Sequence, residues 1–363
     1  MSGLSLRYCL PRVPKRGYGL GNELIPWARA HLAAQLLGAE LLTPAFGLNR
    51  RPYWRHFGTP ADDWIYRRAL PKLMPSVWFS EQDYLEHGGG DVVTALRSFI
   101  AARRLHERRV YVFVTQGLWG GFHHIMAARE FVRSTLFGTR YAARNLLQLR
   151  ARLDPHKVLV AMHVRLGDFA PPRAVGDYSS SWNVSLPIEW FVNIAAQLQR
   201  AWGDGWQLLV VSDGGPEQLS PLLKAFPCII TADLPHGDCS DALALAGADL
   251  LVCSTSTYSW LGAWLSEAPY LWFRPNLYAH PQGCYTLGDP PKDPAAYDPA
   301  RIALAHYLGE GTAVRARGAG VDMDGVVPAG VLDEALRHHR AGRWESDLVC
   351  GGAAPIAAAA YDR

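Results

Sequence analysis

The chain has 363 residues, of which 49% are hydrophobic, and this is enough for two domains with apolar cores. Its 36 basic and 33 acidic residues nearly balance, which argues against a protein that binds the backbone of nucleic acids. The six cysteines include no Cys-x-x-Cys pair, and no signal peptide is evident, so we expect a reduced, cytoplasmic protein. No apolar run of about 18 residues occurs, so we expect no membrane-spanning segment.

Residues 1–153 have the pattern of an N-terminal α/β domain. Strands are predicted at 5–10, 39–43, 77–80 and 109–115, and helices at 24–36, 92–105, 122–137 and 140–153. Gly19, Gly21 and Asn22 lie in the first strand-to-helix loop, where glycines let the backbone approach a ligand. The loop lacks Gly-x-Gly-x-x-Gly spacing, which argues against a nicotinamide cofactor. The composition of residues 44–75 predicts an irregular insertion. This insertion either packs as an ordinary loop or recognises the acceptor by stacking its aromatic side chains on sugar rings.

Residues 154–295 predict a second α/β domain. Strands at 157–164, 207–212, 228–231, 249–253 and 270–273 alternate with helices at 187–202, 216–225, 239–247 and 258–267. Five strands with four crossovers predict a parallel sheet with helices on both faces. From 296 to 363 we expect a helical extension, with helices at 298–308 and 330–340, a Gly-rich loop at 315–327 and a frayed end from 351.

Polar residues follow the ends of these strands, where open α/β sheets bind ligands. The apolar run from Val158 stops in the cluster His163-x-Arg165-x-Gly167-Asp168, and the planar fork of Arg165 matches the oxygens of a phosphate. The Arg165 guanidinium and the backbone N–H groups at the start of helix 258–267 would together form a binding site that suits a pyrophosphate. The alternatives are a surface ion pair of Arg165 with Asp168 and N-capping by the Ser/Thr run. The other candidates are Asp213 or Asp241, for a ribose or base, and the run Ser254, Thr255, Ser256 and Thr257.

Three motifs carry a resemblance to a known family. Gly19-Leu-Gly-Asn-Glu-Leu is similar to the Gly-Leu-Gly-Asn-Gln-Leu opening of the bacterial α-1,2-fucosyltransferases, whose relatives include α-1,6- and protein O-fucosyltransferases. His163-Val-Arg-Leu-Gly-Asp resembles their His-x-Arg-Arg-x-Asp motif. Ser254-Thr-Ser-Thr-Tyr-Ser-Trp-Leu-Gly-Ala-Trp-Leu resembles their Ser-Ser-Phe-Ser-Trp-Trp-Gly-Ala-Trp-Leu stretch. The three motifs occur in the family's order and cover well under half of the chain.

The resemblance implies a GT-B fold, in which two doubly wound Rossmann-type domains face each other across a cleft. It implies GDP-fucose as the donor on the second domain, a carbohydrate or small-molecule acceptor on the first, inversion at the anomeric carbon, and neither a metal nor another cofactor. By position, Arg165 would hold the β-phosphate and Asn22 would lie by the donor sugar. Further donor-site residues would be His163, Ser256 and Tyr258.

The chain departs from the family pattern at two positions that affect function. Leu166 replaces the second basic residue of the motif, which leaves a different donor sugar possible. The acid that follows the motif in the α-1,6 enzymes has no counterpart, because position 173 is Arg. The candidates for the catalytic base are therefore Asp168, then Asp177, then Glu23.

Two alternatives to this interpretation stay open. The chain could be a catalytically silent nucleotide-sugar-binding protein, in which Asp168 serves only to orient Arg165. Asp322-Met-Asp324 matches the Asp-x-Asp that binds Mn²⁺ or Mg²⁺ in the other main glycosyltransferase fold, but it lies beyond the last predicted sheet strand.

Overall fold

A computed structural model of the chain describes residues 6–12, 18–44, 51–57, 69–88, 91–119, 121–172, 177–178, 183–276 and 318–342. The described residues form two compact units, of which unit 1 comprises those up to Val132 and unit 2 comprises those from Arg133 onward. The units thus divide between Val132 and Arg133, whereas the division predicted from the sequence is at residue 153. Within the described part of the chain, no helix is both long enough and apolar enough to cross a bilayer.

Unit 1 contains a parallel sheet of four described strands in the order β2-β1-β4-β3. The predicted strands of this half of the chain are confirmed. The predicted helix 122–137 is wrong in part, because the buried Ile125 has non-helical backbone angles (φ −110°, ψ 28°) and a 3₁₀ segment, His123–Ala128, precedes the α-helix. The elements are β1 (Leu6–Arg12), α1 (Leu20–Leu37), β2 (Glu40–Leu41), α2 (Trp54–Phe57), β3 (Ser76–Phe79), α3 (Glu81–Glu86), α4 (Val92–Ala102), β4 (Val110–Gln116) and α5 (Arg129–Phe137), the last of which crosses into unit 2.

Helix α1 is tied to the end of β4 by a fully buried arginine. Arg29 donates to the carbonyl oxygens of Gln116, at 3.2 Å, and Gly117, and its guanidinium lies 3.7 Å from the centre of the Trp119 ring. Burial lowers the pKa of Arg29 to about 9, so the side chain remains a cation at neutral pH. This contact fixes the middle of α1 relative to the carboxyl end of β4.

Unit 2 contains a parallel sheet of six described strands in the order β10-β9-β8-β5-β6-β7. The five strands predicted for this region are confirmed, and β5 is buried along its whole length, as expected of a central parallel strand. The elements are α6 (Ala142–Arg150), β5 (Val158–Val164), α7 (Ile188–Trp202), β6 (Trp206–Ser212), α8 (Pro216–Ala225), β7 (Cys228–Ile230), α9 (Asp238–Ala246), β8 (Leu250–Val252), α10 (Thr257–Leu265), β9 (Tyr270–Phe273), β10 (Gly318–Val321) and α11 (Ala329–Arg340).

The expectation of a loop at 315–327 is wrong in part, because Gly318–Val321 form β10, an edge strand of the sheet, whereas residues 322–327 are irregular as expected. Small residues are required there. A Cβ atom at Gly318 would lie 2.1 Å from the Tyr270 ring, and one at Gly320 would lie 2.9 Å from the Trp272 ring. The aromatic side chains of β9 therefore leave room only for glycine at these two positions of β10. Because glycine has a low strand propensity, the sequence pattern indicated a loop there. The predicted helix 298–308 and the predicted frayed end lie outside the described residues.

Helix α11 confirms the prediction of a helix at 330–340 and is anchored by a buried carboxylate. Asp249 is fully buried and accepts a hydrogen bond from the backbone N–H of Leu159 at 2.9 Å. The Nδ1 atoms of His338 and His339 lie 2.9 and 3.0 Å from its two oxygens. Two consecutive side chains of α11 thus reach one carboxylate beside the amino end of the central strand.

The turn that follows β10 packs against α7, and substitution of its glycine tests this packing. Gly325 has φ +72°, and a Cβ atom there would lie 2.7 Å from the backbone of Asn193, whereas a Cβ atom at Gly330 would meet no atom within 4 Å. We expect Gly325→Ala to lower the free energy of unfolding by at least about 2 kcal/mol, from backbone strain and overpacking, and Gly330→Ala to change it by less than about 1 kcal/mol. Urea unfolding of the two variants measures both. Equal stability would contradict the docking of this turn.

Candidate functional site

The candidate site lies where the strand order of unit 2 reverses direction. β5 connects through α7 to β6 on one side, and β8 pairs with β5 on the other side. The carboxyl ends of such strands form the ligand-binding crevice of open α/β sheets. Residues 165–168, the Arg165 loop, follow β5, and residues 254–257, the Ser254 turn, follow β8. The two segments selected from the sequence therefore leave neighbouring strands at this crevice.

The guanidinium of Arg165 is held between two carboxylates. Its Nη1 lies 2.7 Å from Oδ2 of Asp213, and its Nη2 donates to Oδ1 of Asp168. The Phe169 ring centre is 5.2 Å from the guanidinium carbon. Only 15% of the Arg165 side chain is exposed, and its Nε–H is buried without an acceptor in the described part of the chain. A buried donor of this kind gains free energy when an anionic oxygen reaches it.

Asp213 lies under the Arg165 loop, at the end of β6. From the sequence, Asp213 was a candidate contact for a ribose or base, but its carboxylate accepts hydrogen bonds from the backbone N–H groups of Leu166, at 2.9 Å, and Gly167. Burial raises the pKa of Asp213, but these hydrogen bonds and the charge of Arg165 outweigh burial and hold it below the ordinary value. The group is therefore an anion at neutral pH.

His163 joins the end of β5 to the start of α10. Its Nδ1 lies 2.6 Å from Oγ of Ser259 and 3.1 Å from Oγ of Ser254. Burial, together with the charge of Arg165, lowers the pKa of His163 to about 3, so the ring is neutral and adds no charge to the site. Ser259 was not among the residues selected from the sequence, although it matches the last serine of the family's Ser-Ser-Phe-Ser element in the third motif.

The hydroxyl groups of the Ser254 turn bond mainly to the protein itself. Ser254 Oγ accepts from the backbone N–H of Ser256 at 3.3 Å, and Ser256 Oγ accepts from that of Tyr258 at 3.2 Å as the N-cap of α10. Thr255 donates to a backbone carbonyl of residue 184 at 3.0 Å. The N-capping alternative is thus confirmed. The turn offers a ligand mainly the half-buried Thr257 and the positive end of the α10 dipole.

Two further candidates flank this core of the site. The Tyr258 ring lies 5.2 Å from the His163 ring, centre to centre, and the Tyr258 hydroxyl donates to the carbonyl of Asp238. Asp241, in the first turn of α9, accepts a hydrogen bond from the Thr231 hydroxyl at 3.0 Å through Oδ2. Oδ1 of Asp241 is buried and has no hydrogen-bond partner among the described residues. Burial is the main cause that raises the pKa of Asp241 to about 8.

Gly19, Gly21, Asn22 and Glu23 belong to unit 1, at the carboxyl end of β1. Gly19 is the N-cap of α1 in an extended conformation, and Gly21 is buried. Asn22 has a buried Oδ1 without a hydrogen-bond partner in the described part of unit 1, and Glu23 is only 6% exposed. β1 lies between β2 and β4, so these residues stand at the point where the strand order of their own sheet reverses.

The Asp-x-Asp motif has a structural role. Asp322 Oδ2 lies 2.9 Å from Nη1 of Arg274, and Asp324 Oδ1 accepts from the backbone N–H of Val326 at 3.1 Å, which closes the turn after β10. Within the described ranges, no three His, Cys, Asp or Glu side chains form a group that could hold a metal ion.

No protein-family model matches the chain, and a search of curated proteins gave no match. The solved structures to which the chain shows similarity include the fucosyltransferase NodZ from Bradyrhizobium, at 15% identity and a TM-score of 0.44, over 72% of this chain and 94% of that chain. They also include POFUT1 in complex with GDP-fucose, at 14% identity and a TM-score of 0.42, over 73% of this chain and 97% of that chain. At this level of similarity, function has to be argued from the residues of the site.

The high pKa of Asp241 gives a testable dependence of stability on pH. The carboxyl has an ordinary pKa of 3.8 and a folded-state pKa of about 8, so its protonated form stabilises the fold at low pH and this contribution is lost as the pH rises through 8. We expect the unfolding free energy to fall by roughly 2–5 kcal/mol more between pH 5 and pH 9 in the wild type than in Asp241→Asn. Urea unfolding at several pH values measures this, with the exposed Asp333→Asn as control. Equal slopes for wild type and Asp241→Asn would contradict it.

Proposed function

We propose that the chain is an inverting glycosyltransferase that transfers fucose from GDP-fucose to a hydroxyl group of a glycan or natural-product acceptor. The observation that carries the proposal is the meeting of the largely buried Arg165 guanidinium and the N-terminus of α10 at the strand-order reversal of unit 2. This combination suits the diphosphate of a nucleotide sugar. The three motifs support fucose and GDP as the donor groups, and Leu166 leaves a different donor sugar as the alternative.

In the proposed reaction, the acceptor oxygen attacks the anomeric carbon from the face opposite the leaving group. The bond between that carbon and the β-phosphate oxygen breaks, and GDP departs with the bonding electrons. Negative charge therefore grows on the β-phosphate, where Arg165 and the dipole of α10 stabilise it without a metal. Fixed donors of this kind lower the barrier because they are oriented before the charge develops.

The proton of the acceptor hydroxyl needs a base. Asp168 is our first candidate, because 56% of its side chain is exposed and its Oδ1 is already oriented by Arg165. Asp177, which is half-buried, is the second candidate, and Glu23 of unit 1 is the third. In the alternative role, Asp168 only orients Arg165, and the protein binds its nucleotide sugar without turnover.

Asp241 supports guanine as the base of the donor. Its carboxyl accepts the Thr231 hydroxyl through one oxygen, and the other oxygen has no donor among the described residues. Guanine presents two adjacent N–H donors on its Watson–Crick edge, which match one carboxylate. Uracil, in contrast, flanks its single N–H with two carbonyl oxygens that a carboxylate repels. An ionised carboxylate at this position therefore favours a guanine nucleotide, whose two N–H donors would compensate the burial that keeps the Asp241 carboxyl mostly protonated in the free protein.

The proposed donor is tested by ligand-induced stabilisation. We expect GDP to raise the melting temperature more than UDP, CDP or dTDP, because a ligand at about 100 times its Kd adds about 2.7 kcal/mol to stability. Incubation with GDP-fucose should release fucose slowly even without the true acceptor. Preference for UDP or dTDP would contradict the fucosyl assignment. Binding of GDP without release of fucose in any acceptor pool would instead support the silent nucleotide-sugar-binding protein.

Substitution of Arg165 tests the phosphate contact. If the guanidinium binds the β-phosphate through its fork, lysine has equal charge but cannot replace it. We expect Arg165→Lys to lower kcat/KM by roughly 30- to 1,000-fold, about 2–4 kcal/mol of transition-state stabilisation, and Arg165→Ala to lower it at least as much. The control is Arg274→Lys, which alters an exposed arginine paired with Asp322. Full activity of Arg165→Lys, with an unchanged melting temperature, would make Arg165 a structural ion-pair partner only.

A further inference from the structure

Asp213 contacts the Arg165 loop through both of its carboxylate oxygens. Oδ1 accepts from the backbone N–H of Leu166 at 2.9 Å, and Oδ2 lies 2.7 Å from Nη1 of Arg165. The backbone N–H of Gly167 is a third donor to the same carboxylate. One side chain at the end of β6 therefore binds the backbone and the guanidinium of the loop that follows β5.

The two loops are also packed too closely for larger residues. A Cβ atom at Gly167 would lie 2.3 Å from Oδ2 of Asp213, and a Cβ atom at Gly214 would lie 2.4 Å from Cδ1 of Leu166. Leu166, which stands where the family motif has a second basic residue, thus fills the space beside Gly214. The close packing leaves the Asp213 carboxylate little freedom to turn towards a ligand.

We propose that Asp213 is a positioning residue that fixes the Arg165 loop and its guanidinium before an anionic ligand binds. An arginine side chain loses much rotamer entropy when it is immobilised, and a carboxylate that has already immobilised it removes this loss from the binding step. Asp213 acts through Arg165 and does not itself contact the ligand. The inference rests on the proposed function only in taking the ligand to be a diphosphate.

The competing hypothesis is the direct contact of Asp213 with a ribose or base. The two roles differ in their coupling to Arg165. A positioning residue has little left to contribute once Arg165 is removed, whereas a direct contact contributes with or without Arg165. A double-mutant cycle measures this difference.

The experiment is calorimetric titration of inorganic pyrophosphate and of GDP into the wild type, Asp213→Asn, Arg165→Ala and the double variant. We expect Asp213→Asn to weaken both ligands by a similar factor, about 10-fold or more, and to weaken them by less than about 3-fold in the Arg165→Ala background. The matched control is Asp322→Asn, which removes the carboxylate of an exposed pair with Arg274 and should leave both affinities unchanged.

A second pair of variants keeps the carboxylate and guards against misfolding of Asp213→Asn. Gly167→Ala should displace the carboxylate and weaken pyrophosphate by a similar factor. Gly215→Ala should have no effect, because the nearest atom to a Cβ there is 4.0 Å away. Hydrogen exchange of the free protein adds a readout without ligand. The amides of Leu166 and Gly167 should exchange faster in Asp213→Asn and stay protected in Arg165→Ala, where the carboxylate still accepts them.

The outcomes separate this inference from the proposed function. Additive losses in the cycle would show that Asp213 acts independently of Arg165, and a loss for GDP without a loss for pyrophosphate would show direct contact of Asp213 with the nucleoside. Either result would overturn the inference. If the wild type binds pyrophosphate but not GDP, the guanine assignment fails while the pyrophosphate cycle still tests Asp213. If the wild type binds neither, Arg165 is not an anion site, and both the inference and the proposed function are wrong.

Discussion

A guanidinium held at the end of a buried parallel strand is the interaction on which the candidate site depends. Removing a cation from water is costly unless opposite charge compensates it, and Arg165 is compensated by Asp168 and Asp213 from two neighbouring loops. The two carboxylates outnumber the one cation, so the free site has no excess of positive charge at these three groups. An anionic ligand therefore gains from the direction of the N–H donors and from the helix dipole more than from net charge.

The groups around Arg165 serve to fix shape. His163 lies near the end of β5, two residues before Arg165, and its low pKa follows from burial and from the charge of that arginine. A neutral ring can still bond to the two serine hydroxyls that shape the start of α10. The polar residues of the third motif are in this way mostly used to build the turn. A rigid turn places the few remaining donors accurately, which matters more for catalysis than their number.

The sequence was informative wherever local pattern decides structure. Strand-helix alternation predicted the parallel sheet of unit 2, and the position of Arg165 after an apolar run predicted its place at a strand end. β10 was missed because its glycines are required by Tyr270 and Trp272, which are remote in sequence. The role of Asp213 was missed for the same reason, since its partner Leu166 lies 47 residues earlier in the chain. The division at residue 153 differed from the structure because Asn145 of α6 bonds to Pro235 and Ser240 of unit 2.

The most direct test of the account is a crystal structure of the protein with GDP. We expect the β-phosphate to lie within hydrogen-bond distance of the Arg165 guanidinium, at the N-terminus of α10, with the guanine edge on the carboxyl group of Asp241. We also expect Asp213 to keep its bonds to the backbone of Leu166 and Gly167. A diphosphate bound elsewhere in the protein, with Arg165 still paired only to Asp168 and Asp213, would contradict the central claim.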